Sequence, residues 1–198
     1  MGSYTVIADA SEAMLRILKE ALVPDVIPDL NGIGLCSPQD SGEYTLGVFL
    51  YDIQESDEIR QFHMQDLDEK RQQGPPVFLS LYYMITAYSQ SDPKFRMIQE
   101  ERILGRVIQC FHDAPVLEAA EEEMRLQLLK LSTEDKTKLW NFSGKPYTVS
   151  VFYKAAPVRL DSAAVREVSR VRRTDFNTAP FQDQGRKAKE REAGEKEP

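Results

Sequence analysis

The sequence predicts an α/β (α+β) fold: one mixed or mostly antiparallel sheet, covered by two long helices and followed by an extended C-terminal arm. Residues 75–88 (PPVFLSLYYMITAY) are apolar on both faces of a strand, which predicts the centre of a covered sheet. Residues 8–22 and 95–111 repeat apolar side chains at helical spacing and predict the two helices. Residues 182–198 have no aliphatic or aromatic side chain larger than alanine, so this tail cannot build a core.

Length and charge limit how the chain is organised. At 198 residues it is long enough for one well-buried domain and too short for two comfortable ones. We therefore expect a globular domain over residues 1–161 and an arm with a polar tail over 162–198. A formal net charge of −7 argues against a nucleic-acid partner.

The N-terminus and the cysteines indicate where the protein is made. Residues 1–9 have neither the basic nor the long apolar region of a signal peptide, and Cys36 and Cys110 are too few for a disulfide framework. The longest apolar stretch falls short of the roughly 20 residues that span a bilayer. We expect synthesis in the cytoplasm and no insertion into a membrane.

The first helix, residues 8–22, has Asp9 or Ser11 as candidate caps and Pro24 as its stop. Residues 33–36 and 44–53 predict two strands, which we expect to be antiparallel neighbours.

Residues 52–69 contain seven acidic side chains and one basic side chain, which predicts a long solvated loop. We call this segment the acidic loop. Its acids are Asp52, Glu55, Asp57, Glu58, Asp66, Asp68 and Glu69, against a single base, Arg60.

The second half of the chain predicts two further strands and, besides the long helix over 95–111, two short helices. In the helix over 95–111 the predicted buried stripe is Met97, Ile98, Leu104, Val107, Ile108 and Phe111. The acidic residues within 118–123 predict a solvated helix, 126–131 a strand, and 147–160 a last strand. Between these strands, Ser132 and Asp135 resemble a capping box that opens a short helix, held to the body by Leu139, Trp140 and Phe142.

No catalytic, cofactor-binding or metal-binding constellation can be found in the sequence. Cys110 and His112 lie two apart on a helix, so they point to opposite sides and cannot form a nucleophile and base pair. His63 is alone in the acidic loop, whereas zinc needs three or four convergent ligands. We expect no enzyme activity and no cofactor.

The arm contains a cluster of arginines, Arg166, Arg170, Arg172 and Arg173. Such a cluster can contact phosphate or an acidic protein surface, and the acidic loop is a surface of that kind. We therefore favour a protein partner for the arm.

Five segments stand out as a set: VIADASEA (6–13), LGVFLY (46–51), PPVFLSLYYMITAY (75–88), ERILGRVIQ (101–109) and HDAPVL (112–117). In this order and spacing they resemble the N-terminal domain of cap proteins from extracellular contractile injection systems, the phage-tail-like particles of the antifeeding-prophage and virulence-cassette type. The resemblance covers roughly residues 4–162.

The resemblance implies a structural assembly protein, similar in role to a phage tail terminator. It implies a homohexameric ring that sits on the distal end of the inner tube and contractile sheath and stops their polymerisation, in a particle that can be released from the cell. A ring needs contacts between copies and with the sheath, which makes the acidic loop and the arm candidate interfaces. The candidate residues are Asp57, Glu58, Asp66, Asp68, Arg166, Arg170, Arg172, Arg173, Phe176 and Phe181.

One hypothesis for the arm is that Val158–Leu160 and the residues through Phe176 and Phe181 extend from the domain and add a strand or a docking segment to sheath subunits. Two other functions compete with the ring. A monomeric adaptor would use the acidic loop and the arm on separate partners, and an acyl- or nucleotide-handling enzyme would need convergent polar residues in a pocket.

Overall fold

The computed structural model describes residues 4–119, 122–141 and 144–168. Within them the chain forms three α-helices, α1 (Val6–Leu22), α2 (Pro93–Asp113) and α3 (Thr133–Asn141), and two short 3-10 turns at Leu30–Gly32 and Pro38–Asp40.

The described strands form two sheets. A six-stranded sheet has the order β1-β2-β5-β8-β7-β6 and a three-stranded sheet has the order β3-β4-β9. The strands are β1 (Ile33–Leu35), β2 (Leu46–Glu55), β3 (Gln65–Asp66), β4 (Arg71–Gln73), β5 (Val77–Ala87), β6 (Val116–Ala119), β7 (Glu122–Leu128), β8 (Ser150–Leu160) and β9 (Val165–Glu167).

The prediction that residues 75–88 form a central strand is confirmed, because β5 lies between β2 and β8 and pairs antiparallel with both. Its alternating residues enter two different cores. Leu81, Tyr83 and Ile85 belong to the larger core, whereas Met84 belongs to a smaller core on the other face.

The larger core lies between the six-stranded sheet and helices α1 and α2. It includes fully buried Met14 and Leu18 of α1 and Val107 of α2. The smaller core is built around Trp140 of α3 and Phe152 of β8, with Leu139 packed against it. Burying apolar side chains on both faces is what fixes the position of β5 within the sheet.

Helices α2 and α3 begin where side chains satisfy their first N–H groups. The Asp92 carboxylate accepts from Lys94 N–H at 2.9 Å at the start of α2. The capping box predicted at the start of α3 is present: Ser132 Oγ accepts from Asp135 N–H at 3.1 Å and donates to the Asp135 carboxylate at 2.6 Å.

The predicted cap of α1 is wrong. The helix begins at Val6, with Thr5 preceding it, so Asp9 and Ser11 lie inside the helix. Ser11 has a tertiary role instead, because its hydroxyl is buried and lies 2.9 Å from the Tyr83 hydroxyl. Sequence alone does not show that this polar pair meets across the core.

Strands β1 and β2 are parallel, not antiparallel as predicted. The reason lies in residues 36–45, which carry the second 3-10 turn and bring the chain back to the start of β1. There Thr45 N–H donates to the Gly32 carbonyl at 2.8 Å, so β2 starts beside the beginning of β1 and runs in the same direction.

Two acidic segments were assigned the wrong secondary structure. Residues 118–123 were predicted as a solvated helix, but 118–119 belong to β6 and 122–123 to β7, and these strands pair antiparallel; in β6, buried Leu117 and Ala119 alternate with exposed Glu118. The acidic loop also contains structure, because β2 continues to Glu55 and residues 65–66 form β3.

The predicted stripe of α2 is only half right. Ile103, Leu104, Val107, Cys110 and Phe111 are buried, but Met97, Ile98 and Ile108 are exposed. Every residue from Pro93 to Ile98 is exposed, and the first buried residue of α2 is Ile103. The first two turns of α2 therefore project past the larger core.

Two glycines give opposite expectations for the same substitution. A Cβ at Gly47 would collide with the Cys36 sulfur and lie 3.0 Å from the Tyr88 ring, whereas a Cβ at Gly105 of α2 meets nothing within 4 Å. We expect Gly47→Ala to lower the free energy of unfolding by about 1–3 kcal/mol. Gly105→Ala should raise it by about 0.5–1 kcal/mol, because alanine favours the helix.

Urea unfolding of both variants measures this difference. A Gly47→Ala protein as stable as the wild type would contradict the close packing of β2 against Cys36 and Tyr88.

Candidate interaction surfaces

The small sheet joins the acidic loop to the first residues of the arm. Arg71 of β4 lies opposite Glu167 of β9, and Gln72 lies opposite Arg166. Val168 N–H donates to the Lys70 carbonyl at 2.8 Å, which extends the pairing past β9. The beginning of the arm therefore packs against its own chain.

The four predicted acidic interface residues have partners within the same chain. Asp57 lies 3.3 Å from Arg60, Glu58 lies 3.2 Å from Lys154 of β8, and the Asp66 carboxylate accepts from Gln72 at 2.8 Å. The Asp57–Arg60 pair is exposed on both sides and contributes little to stability, whereas in the Glu58–Lys154 pair the Lys154 side chain is mostly buried.

Asp68 organises the turn between β3 and β4. Its carboxylate accepts from the N–H groups of Lys70 and Arg71, each at 2.8 Å, and from Arg71 Nε at 2.7 Å. The hydrogen bond from Lys70 N–H and then the Arg71 side chain lower the pKa of Asp68 below its ordinary value. Ionised Asp68 therefore supports the turn, and this support is lost as the pH falls through the lowered pKa.

The structure brings Arg166 into the same small sheet as the acidic residues. Arg166 is exposed and lies across Gln72 from Asp66, since β4 separates β3 from β9. Its acidic neighbours are thus in its own chain. The remaining arm candidates lie outside the described residues: Arg170, Arg172, Arg173, Phe176 and Phe181.

The expectation that Val158–Leu160 extends from the domain is wrong. These residues are the end of β8 and pair with Val77–Leu79 of β5, and the Val158 side chain is buried. The alternating pattern of residues 147–160 lies next to the polar arm, and it did not show that β8 pairs with β5 as far as Leu160.

A cleft of about 390 Å³ lies beside the Glu58–Lys154 pair and is also lined by Arg125 and Gln127 of β7. Its lining supplies charge and hydrogen bonds but no nucleophile next to a base. Burial raises the pKa of the thiols of Cys36 and Cys110, which keeps them protonated at neutral pH.

The described part of the chain has neither a metal-binding cluster nor a helix that could cross a membrane. It holds no group of three or more His, Cys, Asp or Glu side chains placed to bind a metal ion. Its helices are all too short or too polar to cross a membrane.

Sequence reasoning missed the exposed apolar side chains at two places. Phe95, Met97 and Ile98 are 61%, 70% and 50% exposed at the start of α2, and Phe62 is 78% exposed in the acidic loop. The available signal was that Phe95, Met97 and Ile98 spread around the helix, so they cannot all face one core.

Comparison with known proteins identifies a matching family and two structures with a similar fold. The family model of the Pvc16 N-terminal domain matches residues 9–174. A search of curated proteins gives no match.

Two solved structures share the fold. One is the sheath/tube terminator of an extracellular contractile injection system, PVC, in its extended state, with a TM-score of 0.65 and 21% identity over 91% of this chain and 66% of that one. The other is the tube-terminating cap of the anti-feeding prophage, AFP, with a TM-score of 0.65 and 19% identity over 84% of this chain and 59% of that one.

The chain spans less than two thirds of the length of both structures. The family model, however, covers most of the chain and agrees with the resemblance found in the five sequence segments. This chain belongs to the Pvc16 N-terminal domain family.

Proposed function

We propose that this chain is a structural subunit that caps the distal end of the inner tube and contractile sheath of a phage-tail-like particle and terminates their polymerisation. The observation that carries the proposal is the fold shared with two terminators, one of sheath and tube and one of tube, over 91% and 84% of the chain. Family membership over residues 9–174 supports the same role.

The surface is suited to assembly and not to catalysis. A cap holds polymer ends by contact area and needs no reacting group, and the described clefts present charge without a nucleophile and base pair. Exposed apolar side chains in the acidic loop and at the start of α2 supply contact surface instead. We propose a non-enzymatic role without a cofactor.

The proposed assembly is a homohexameric ring that touches sheath and tube subunits in a released particle and uses neither nucleic acid nor membrane insertion. The ring number comes from the family resemblance. Closed rings need a head-to-tail contact between copies, which uses two different surfaces of each subunit. The arm is proposed to extend beyond Val168 toward the sheath, since β9 and Val168 are held by β4.

Removing this chain from cells that make the particle should widen the distribution of tube and sheath lengths, because nothing would stop subunit addition. Electron microscopy of purified particles measures the lengths, and supplying the chain from a plasmid should restore them. A labelled copy should be found at one end of each particle. Unchanged lengths, with label away from the ends, would favour the monomeric adaptor instead.

Truncation after Val168 should leave the fold intact and abolish capping of the sheath. The pairing of β9 with β4 and the hydrogen bond from Val168 to Lys70 are made by residues 165–168, so a chain that ends at Val168 retains them. Circular dichroism and thermal unfolding check the fold, and microscopy of particles checks the capping.

A second truncation, after Asp161, is the matched control. It also removes β9 and leaves one edge of β4 unpaired, so it should alter the small sheet. A protein ending at Val168 that still caps sheath normally would remove the arm from the proposal.

A further inference from the structure

The first two turns of α2 form a basic apolar surface. We name residues 93–98 the α2 tip. It contains Phe95, Met97 and Ile98, all at least half exposed, together with exposed Lys94 and Arg96, and no acidic residue. Apolar side chains grouped at such a projecting end are a feature of protein-binding surfaces.

The acidic loop forms a surface of the opposite kind. Residues 55–69 contain six acids and one base, with Ile59, Phe62 and Leu67 exposed among them. Arg71 and Lys154 pair with Asp68 and Glu58, which leaves an excess of negative charge. Both surfaces therefore combine exposed apolar side chains with charge, and the two charges have opposite sign.

The two surfaces lie at opposite ends of the central strand. Register places Leu46 beside Ala87 at one end of the β2–β5 pair and Glu55 beside Leu79 at the other. The α2 tip follows the first end and the acidic loop follows the second, where Ser56 N–H still donates to the Phe78 carbonyl at 2.7 Å. The length of β5 separates them by roughly 35 Å, at about 3.3 Å per residue.

Complementary surfaces at opposite ends of one subunit can meet only between copies. Such a contact is head-to-tail, and repeated with a closing rotation it produces a ring. A two-fold dimer in which each tip meets the loop of the other copy is the alternative, and it would stop at two copies.

We propose that the α2 tip of one copy docks against the acidic loop of the next copy. Lys94 and Arg96 face carboxylates of the loop, and the apolar side chains of the tip pack against Phe62 and its neighbours. This inference rests on the proposed ring and names its interface between subunits.

Charge reversal tests the contact from both sides. The tip variant is Lys94→Glu with Arg96→Glu, and the loop variant is Glu55→Lys with Asp57→Lys. In each case we expect self-association of the full-length chain to weaken by about tenfold or more. Light scattering over a range of concentrations measures the mass, and circular dichroism checks the fold of each variant.

Mixing and combining the variants distinguishes this contact from a general effect of charge. An equal mixture of the tip and loop variants has opposite charges at both alternating contacts, wild-type tip on wild-type loop and reversed tip on reversed loop, so it should assemble although neither variant does so alone. A chain with all four substitutions restores opposite charges and should recover the ring. The matched control, Lys130→Glu with Lys138→Glu, changes the net charge as much as the tip variant does and should associate like the wild type.

The outcomes separate this inference from the proposed function. A wild-type ring that the tip and loop variants leave unchanged relative to the control would overturn the inference and leave the ring standing. If the wild type associates only on particles, the fraction of particle ends that carry the protein is measured instead of its mass in solution. Tip and loop variants that occupy as many ends as the wild type would then overturn the inference. Absence of the wild type from particle ends would overturn the proposed function too.

Discussion

Strand β5 carries large apolar side chains on both faces, and water has to be excluded from each. Fully burying one such side chain contributes about 1.5–3 kcal/mol, so leaving either face open would cost several times that amount. Helices α1 and α2 cover the face of Leu81, Tyr83 and Ile85, and α3 covers Met84 and Phe152. The lengths of these helices then decide which parts of the molecule remain free. The 21 residues of α2 run past the core, which leaves its tip in solvent.

The two edge strands of the six-stranded sheet are β1 and β6. Open edges invite unwanted pairing, and proteins that assemble have to confine pairing to intended places. On β6 the Glu118 carbonyl accepts from Arg16 of α1 at 3.2 Å, so part of this edge already has a partner. The surfaces at the two ends of β5 are different, because side chains and not backbone edges define them. That favours contacts set by charge and shape, which are more selective than strand addition.

Local patterns were enough to predict β5, the helices and the start of α3, because each depends on residues close in sequence. The relative orientation of β1 and β2 depends on the chain returning at Thr45 to the start of β1, which no local sequence pattern predicts. The small sheet was missed because its residues are polar and because β4 pairs with a strand more than ninety positions away. For the candidate interfaces, the sequence located the acidic residues but predicted a solvated loop, whereas β2 continues to Glu55 and residues 65–66 form β3. The partners of Asp57, Glu58 and Asp66 within the chain depend on folding and could not be predicted.

The pairing of β9 with β4 has a consequence for how the arm and the ring contact relate. Val168 binds Lys70, which directly follows the acidic loop, so the arm leaves the domain beside that loop. If the α2 tip of a neighbour occupies the loop, the root of the arm and the contact between copies lie at the same end of each subunit. Strand β9 has only three residues, all exposed, so little buried area holds it to β4. Docking of a neighbour can therefore bias the direction of the arm at low cost, which would link closure of the ring to engagement of the sheath.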